Sequence, residues 1–357
     1  MTKAEQLAPD QRVVLIVGAS SGIGRATALA FSRQGASVVL ASRSEASLRE
    51  AERECIAAGG TTLVVPTDVT EVDSVAALFA SAVATFGRVD AVVHSASVVA
   101  YGRFEDVPAS VFDRVLTTNI IGTTNVARSA LARFKRQGSG RLVFVGSLLG
   151  KIATPYMSSY VTSKWAMHGL VRALQIEARE TPGIDISLVS PGGVDTPVYH
   201  QAANYAGRVG RPPPPVDTPE KVARAVVRAV ERPRRETSVG LANPLTVTGF
   251  RTMPAVFDAL VMPLMKRGGL SRTITGPHEG NVFVAQPAGE AVHGRWGRQW
   301  LRTVPFAAAA AGGVVALARR PASSDLTEGT PARAGRMGSI PQSEARWWRD
   351  ERRAGQS

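Results

Sequence analysis

The sequence predicts an α/β fold: a Rossmann-type, doubly wound parallel sheet of about seven strands flanked by helices, with a helical C-terminal extension. Two observations predict it. A glycine-rich turn joins a short apolar run to a helical segment near the N-terminus, and short apolar runs then alternate with helical stretches of about a dozen residues. Such alternation is typical of parallel strands with right-handed crossovers, and ligands bind beyond the carboxyl ends of these strands.

The first strand and its turn predict a phosphate-binding site. Val13–Val17 is a run of five apolar residues, and a helix is expected to open directly after Gly24 and to reach about Gln34. Free N–H groups and the helix dipole at such a turn bind a pyrophosphate if side chains leave room. Taken alone, the G-x-x-x-G-x-G spacing also fits a tight turn without a ligand. The expected cofactor contacts are Gly18, Ser20, Ser21, Gly22, Ile23 and Gly24.

The end of the second apolar run indicates which dinucleotide binds. In a Rossmann unit, a carboxylate at this place bonds the ribose 2′-hydroxyl of NAD, whereas an arginine accommodates the 2′-phosphate of NADP. The chain has Ser42 and Arg43 here and no carboxylate until Glu45. The sequence therefore predicts NADP(H), held by Ser42 and by the planar fork of donors on Arg43. The alternative is an exposed arginine at the start of a helix.

The other elements follow in the same rhythm. Helices are expected over residues 45–58, 73–86, 111–137, 158–180 and 218–232, and strands over residues 62–69, 89–94, 141–147, 184–190 and 237–240. Because the strands are parallel, their carboxyl ends meet at one edge of the sheet. Gly18, Arg43, Asp68 and the segment 94–97 are expected to gather there.

Tyr160 and Lys164 point to proton transfer. Four residues apart on a helix, they share one face. A phenol has an ordinary pKa near 10, and a neighbouring ammonium group is expected to lower the pKa of Tyr160. Tyr160 then acts as general acid toward a carbonyl or as general base toward an alcohol. Ser147, at the end of the preceding strand, can donate a hydrogen bond to the same oxygen.

In this order along the chain, these residues resemble the short-chain dehydrogenase/reductase family over about residues 10–240. The segments that carry the resemblance are the glycine turn 18–24, Asp68-Val69, Asn119, Ser147, the Tyr-x-x-x-Lys segment 160–164 and the segment 191–196.

The resemblance implies a role for each matched residue. Tyr160 transfers the proton, and Ser147 orients the substrate oxygen. Lys164 tunes the pKa of Tyr160 and bonds the nicotinamide ribose. Asn119 holds a water that links Lys164 to solvent, and Asp68 meets the adenine. The remaining cofactor contacts that it implies are Val69, Ala96, Pro191, Gly192, Val194 and Thr196. It also implies a homodimer or homotetramer built on the two long helices.

The chain departs from the family pattern after the fourth strand. The family has Asn-Ala-Gly there, and this sequence has His94-Ser95-Ala96-Ser97. His94 is expected near the adenine ribose, where it would reshape the cofactor contact. A metal site is not expected, because the five histidines are widely separated and lack ligand-like spacing.

Charge and composition divide the chain into three regions. Residues 1–200 carry 19 basic and 17 acidic side chains, whereas residues 201–357 carry 23 and 12. We expect a dinucleotide-binding catalytic domain over 1–240, an extension over 241–320 and a basic, disordered tail over 321–357. Nucleic-acid binding by the tail is a third, less favoured reading, since the arginines also fit codon bias.

The extension contains two apolar stretches. Residues 245–264 fit either an apolar cap over the substrate pocket, the preferred reading, or a surface that touches lipid. Residues 304–318 are an uncharged run of 15 residues between arginines, short of the roughly 20 that span a bilayer. This run fits equally an interfacial anchor within 304–320 and a soluble packed helix. The expected location is cytoplasmic, with membrane association through the extension.

The predicted function is an NADP(H)-dependent oxidoreductase that interconverts a carbonyl and an alcohol, on a lipophilic substrate. The alternative is a non-catalytic protein that binds NADPH and acts as a regulator or scaffold. The catalytic set of Asn119, Ser147, Tyr160 and Lys164 favours the enzyme, since a sensor needs the glycine turn but not Tyr160 or Ser147.

Overall fold

The computed structural model describes residues 12–296, which form a three-layer α/β fold around one seven-stranded parallel sheet. We number its strands β1 to β7 along the chain, and their spatial order is β3-β2-β1-β4-β5-β6-β7. The chain therefore reverses direction of winding between β1 and β4, which is where open α/β sheets bind ligands. The strands are β1 Val13–Val17, β2 Ser37–Ser42, β3 Thr61–Pro66, β4 Ala91–His94, β5 Gly140–Val145, β6 Ile184–Pro191 and β7 Glu236–Val239.

The central strands are almost continuously apolar because helices cover both faces of the sheet. All five residues of β1 are buried, as are all four of β4. Two apolar clusters lie on opposite faces: alternate residues of β1 point into each, with Val14 and Ile16 in one and Leu15 and Val17 in the other. The sheet is therefore the buried middle layer of the fold, and the carboxyl ends of its parallel strands meet at one edge.

Ten α-helices are found among residues 12–296. They are α1 Gly22–Ser32, α2 Glu45–Ala57, α3 Val72–Phe86, α4 Ala109–Leu116, α5 Gly122–Gln137, α6 Ser158–Glu177, α7 Val198–Gln201, α8 Pro219–Glu231, α9 Asn243–Thr252 and α10 Pro254–Leu264. The first helix opens at Gly22, with Ser21 as its N-cap residue, and not after Gly24 as expected. The second and third glycines therefore lie inside its first turn.

A π-helical turn interrupts the helical region that the sequence predicts as continuous over 111–137. Thr117–Ile121 forms this turn between α4 and α5, and Asn119 lies in its middle. Single π turns inside α-helices occur frequently at functional sites.

The part of the extension that the structure describes returns to the carboxyl edge of the sheet. After α9 and α10, the strand Leu270–Ile274 pairs antiparallel with Arg208–Gly210. Residues 278–296, which we call the strap, then cross this edge without forming a helix. The two remaining regions of the C-terminus, 304–320 and the tail 321–357, lie outside the described residues.

The helices of the extension have an exposed apolar surface. None of the eleven residues of α10 is buried, and Leu245 of α9 is 77% exposed. No helix within residues 12–296 is both long and apolar enough to cross a membrane.

Candidate active site

A cleft runs along the carboxyl edge of the sheet and collects nearly all the residues that the sequence singled out. It is lined by Gly18, Ser20, Ser21, Gly22, Ile23, Gly24, Ser42, Arg43, Asp68, Val69, Ala96, Ser147, Tyr160, Lys164, Pro191, Gly192, Val194 and Thr196. Asn119 lies behind the wall and is fully buried. The strap contributes Asn281, Ala285 and Glu290 to the opposite side.

The glycine turn is packed too tightly for side chains. Gly18 has a φ of +89°, and a Cβ there would lie 2.6 Å from the backbone nitrogen of Ala96. A Cβ on Gly24 would overlap the carbonyl oxygen of Gly18. The turn therefore presents bare backbone to the cleft, as an anion at the N-terminus of α1 requires.

Three polar side chains meet at the other end of the cleft. Ser147 follows β5 directly, and Tyr160 and Lys164 lie one turn apart on α6. The Lys164 Nζ lies 5.4 Å from the centre of the Tyr160 ring and donates a hydrogen bond to the Val145 carbonyl oxygen at 3.3 Å. The Ser147 Oγ accepts a hydrogen bond from the Leu149 N–H at 3.1 Å, so its own O–H can be donated into the cleft.

Burial dominates the proton affinities of this group. Burial raises the pKa of Tyr160 to about 12, although the hydroxyls of Ser147 and Ser97 favour the phenolate. Burial also lowers the pKa of Lys164 to about 8. The expected lowering of the Tyr160 pKa is therefore not found in this structure, because desolvation of the phenolate outweighs the hydrogen bonds of Ser147 and Ser97.

The amide of Asn119 ties two parts of the site together. Its Oδ1 accepts the Val98 N–H at 2.8 Å, and its Nδ2 donates to the Val98 carbonyl oxygen at 2.9 Å and to the Ser163 Oγ at 3.0 Å. Both amide hydrogens are used. Asn119 thus fixes the loop after β4 against α6, next to Lys164, and its role in holding a water stays a prediction.

Arg43 and Asp68 line the part of the cleft beside β2 and β3, which we call the adenosine end after the contacts that the sequence predicts there. Both side chains have partners within the protein. Arg114 and Thr70 bind the Asp68 carboxylate, with an Arg114 Nη2 to Asp68 Oδ2 distance of 3.2 Å. Arg43 donates to three carbonyl oxygens of the strap: Asn281 at 2.6 Å, Val282 at 3.3 Å and Phe283 at 3.2 Å. Burial lowers the pKa of Arg43. The guanidinium that the sequence assigns to a phosphate is held by backbone in this structure.

The expectation that His94 lies near the adenine ribose is wrong. His94 is fully buried at the end of β4, its Nε2 lies 2.9 Å from the Thr123 Oγ1, and it is absent from the lining of the cleft. Burial lowers its pKa to about 3, so the ring is neutral. The physical reason is that β4 is covered on both faces, so its last side chain points into the layer beneath α5. Ser97, three residues on, is the member of this segment that lies beside Tyr160.

The end of the cleft beyond Tyr160 is apolar. Its wall is made by two phenol rings and five aliphatic side chains, which are Tyr101, Tyr199, Val99, Leu149, Met157, Val198 and Met265. Next to Met157, Tyr156 has a φ of +68°, a conformation that costs free energy in a residue other than glycine. Backbone strain of this kind clusters at functional sites, here in the loop that leads to Tyr160.

Several polar atoms on the wall of the cleft are buried without a hydrogen-bond partner. Within the described part of the chain these include the Ser42 Oγ, the Thr118 Oγ1, the Thr154 Oγ1 and the Glu290 Oε2. Such atoms are rare unless a ligand or water satisfies them. Together with the bare glycine turn, they fit a long polar ligand such as a dinucleotide. Thr118, Thr154 and Glu290 were not anticipated from the sequence, where no local pattern marks them.

The profile of the short chain dehydrogenase family matches residues 12–205, more than half of the chain. The protein belongs to this family. Its members are oxidoreductases that bind nicotinamide cofactors, act on small molecules and are often oligomeric. The matched range ends before β7 and the strap, so this match rests on strands β1 to β6, the glycine turn and the Ser-Tyr-Lys group.

Similar proteins include enzymes with either cofactor. The uncharacterized oxidoreductase YxnA of Bacillus subtilis is 31% identical over 297 residues, which cover 82% of this chain and 83% of YxnA. An alcohol dehydrogenase of Thermococcus sibiricus, solved with 5-hydroxy-NADP, is 30% identical with a TM-score of 0.56, covering 64% of this chain and 95% of its own. NAD⁺-bound xylitol dehydrogenase is 30% identical with a TM-score of 0.50, covering 52% and 71%.

Proposed function

We propose that the protein is an NADP(H)-dependent oxidoreductase that interconverts a carbonyl and an alcohol, with Tyr160 as general acid and base. The observation that carries this proposal is that Ser147, Tyr160 and Lys164 line the same cleft as the glycine turn. A cleft that binds a dinucleotide for regulation alone needs no such group at its apolar end. Arg43 and Ser42, at the end of β2, are the residues we assign to the 2′-phosphate.

When bound, the nicotinamide ring supplies or accepts the hydride at the carbon of the reacting group. In the reducing direction, the Ser147 hydroxyl donates a hydrogen bond to the substrate oxygen and fixes its position. The Tyr160 phenol gives its proton to that oxygen, and the charged Lys164 favours the phenolate left behind. In the oxidising direction, the same groups act in reverse. The glycine turn would hold the pyrophosphate, Asp68 would contact the adenine, and the nicotinamide would be held by Pro191, Gly192, Val194 and Thr196.

We further propose a lipophilic substrate, such as a sterol, a retinoid-like alcohol or a long-chain acyl carbonyl. The aliphatic and aromatic wall beyond Tyr160 supports this, because such a wall excludes water and binds apolar surface. The phenols of Tyr101 and Tyr199 are the polar groups at this end of the cleft, and burial raises the pKa of both. They therefore stay protonated and serve as hydrogen-bond donors rather than as charges.

Consumption of NADPH tests this proposal. The purified protein is mixed with NADPH and a panel of ketones and aldehydes of increasing chain length, and the loss of reduced-nicotinamide absorbance is followed. We expect turnover that rises with the apolar surface of the substrate. NADPH binding without oxidation across the whole panel would contradict an enzymatic role and favour the regulatory one.

The rate of carbonyl reduction is expected to fall as the pH rises through about 8. Lys164, whose pKa is lowered to about 8, loses its charge in this range, whereas Tyr160, with a pKa of about 12, stays protonated. The phenolate formed by proton donation then lacks a neighbouring cation. A pH profile of kcat/KM from 6 to 10 measures this. In Lys164→Arg, a permanently charged guanidinium removes the decline from whatever activity remains, and a wild-type rate that stays level to pH 10 would refute the assignment.

Assembly and location are also part of the proposal. We propose a homo-oligomer built on the long helices, supported by the exposed side chains of Ile121 beside α5 and of Trp165 and Ile176 on α6. We propose a cytoplasmic protein that contacts the membrane surface through residues 304–320. The exposed apolar residues of α9 and α10 support a contact of the extension with a membrane surface.

A further inference from the structure

The strap occupies the donor groups that a dinucleotide would use. The Gly22 N–H, at the N-terminus of α1, donates to the Ala291 carbonyl oxygen at 2.9 Å. The Arg43 guanidinium donates to the carbonyl oxygens of residues 281–283. Backbone carbonyls thus lie where phosphate oxygens would accept hydrogen bonds. An N–H of this turn cannot serve the strap and a phosphate at full strength together.

The strap is anchored near both of its ends. Near its start, the Val282 side chain is fully buried in a small apolar cluster with Val98 and Ala203, and the Asn281 N–H donates to the Gln201 carbonyl oxygen at 2.8 Å. At its end, Trp296 stacks on His200 with ring centres 4.3 Å apart and planes at 5°. The Trp296 backbone N–H donates to the Asp195 Oδ1 at 3.1 Å. Both anchors hold the strap to residues 195–203, so the segment between them is fixed at both ends.

Between the anchors, the strap brings a carboxylate to the adenosine end. Glu290 lines the cleft, and its Oε2 is buried without a partner among the described residues. Glu290 and Asp68 both act electrostatically on Arg43, opposing the effect of its burial. The strand β2 ends without an acidic residue, so Glu290 is the group on the strap that can accept a hydrogen bond from a ribose 2′-hydroxyl. A 2′-phosphate in the same place would be repelled by it.

We propose that the strap selects the cofactor, through Arg43 and Glu290. While the carbonyl groups of residues 281–283 bind Arg43, the group available to the adenosine ribose is the Glu290 carboxylate, which suits NAD(H). When these hydrogen bonds break, the Arg43 guanidinium can bind the 2′-phosphate of NADP(H). Either dinucleotide must displace the Ala291 carbonyl oxygen from the Gly22 N–H, and NADP(H) must in addition free Arg43 from residues 281–283. This inference rests on the proposed function, because it assumes that the cleft holds a nicotinamide dinucleotide.

Loosening one anchor tests the proposal. Val282→Ala removes buried methyl groups from the anchor without touching the cleft, and Val284→Ala removes the same groups from a side chain that is 73% exposed. Dissociation constants for NADPH and NADH are measured by titration calorimetry on the full chain. Because the apparent affinity scales with the fraction of competent protein, we expect Val282→Ala to bind NADPH about three- to tenfold more tightly. NADH binding changes less than twofold, and Val284→Ala matches the wild type.

Glu290→Gln is an independent test, because it removes the charge of the side chain and keeps the shape of the side chain. We expect weaker NADH binding and tighter NADPH binding, so that the ratio of the two dissociation constants shifts toward NADPH. Amide hydrogen exchange at Asn281 and Val282, whose N–H groups are hydrogen-bonded beside Arg43, gives a direct readout of this contact: NADPH is expected to increase exchange there, and NADH is not.

The possible failures are distinct. If the wild type binds both nucleotides but neither Val282→Ala nor Glu290→Gln changes their ratio, the strap does not select the cofactor and the proposed function stands. If the wild type binds neither nucleotide, the proposed function itself is overturned, and the inference with it. Arg43→Ala tests a residue that the proposed function and the inference share: we expect it to weaken NADPH binding about tenfold or more, and an unchanged NADPH affinity would overturn both the inference and the assignment of Arg43 to the 2′-phosphate.

Discussion

Replacing Tyr160 with phenylalanine is expected to lower kcat for carbonyl reduction by about 10²- to 10⁴-fold, the usual contribution of a positioned general acid. The change removes the one oxygen of this side chain and leaves the ring that packs beside Lys164. We expect the dissociation constant for NADPH and the melting temperature to stay close to those of the wild type, because the phenol is replaced by a ring of the same shape. Steady-state kinetics and calorimetry separate these quantities.

Tyr205→Phe is the matched control. Tyr205 carries the same phenol but does not line the cleft. Its ring packs against the apolar cluster that contains Val98. We expect full activity in this variant. Retention of wild-type turnover by Tyr160→Phe would show that another group delivers the proton, and Tyr199, whose ring also lines the cleft, would be the next to replace.

Gly24→Ala is expected to abolish dinucleotide binding and to cost about 3 kcal/mol of the free energy of unfolding, as overpacking of a rigid site does. The added Cβ would overlap the carbonyl oxygen of Gly18, which is backbone and cannot rotate away. Relief requires a shift of the first turn of α1, and that shift moves the N–H groups that face the pyrophosphate. Chemical denaturation and NADPH titration measure the two effects separately.

Gly169→Ala makes the same chemical change on α6, where an added Cβ meets no atom within 4 Å. We expect normal NADPH binding and a gain of up to about 1 kcal/mol in stability, because alanine favours the helix. If Gly24→Ala bound NADPH like the wild type, the turn would be able to expand and would not be the rigid anion site described above.

Local sequence signals were enough to predict the sheet and, on the cleft wall, the glycine turn and the Ser-Tyr-Lys group. Runs such as Val13–Val17 are buried on both faces, and this produces apolar segments that are visible without a structure. The boundaries were less certain. α1 starts at Gly22, after the extended backbone of Ser21, whose side chain makes no capping hydrogen bond, and a π turn at Thr117–Ile121 separates α4 from α5. Neither has a periodicity of its own.

The sequence by itself determined the fold class and the residue types at the carboxyl edge of the sheet, because short apolar strands that alternate with helical segments are visible as local patterns. The tertiary structure alone decided three matters. It buried His94 beneath α5, it raised the pKa of Tyr160 by desolvation, and it brought the strap, with Glu290, onto Arg43. Each depends on groups far apart in the chain: about 240 positions separate Arg43 from its carbonyl partners. Contacts at that separation leave no local pattern, because only the closed fold brings the two segments together.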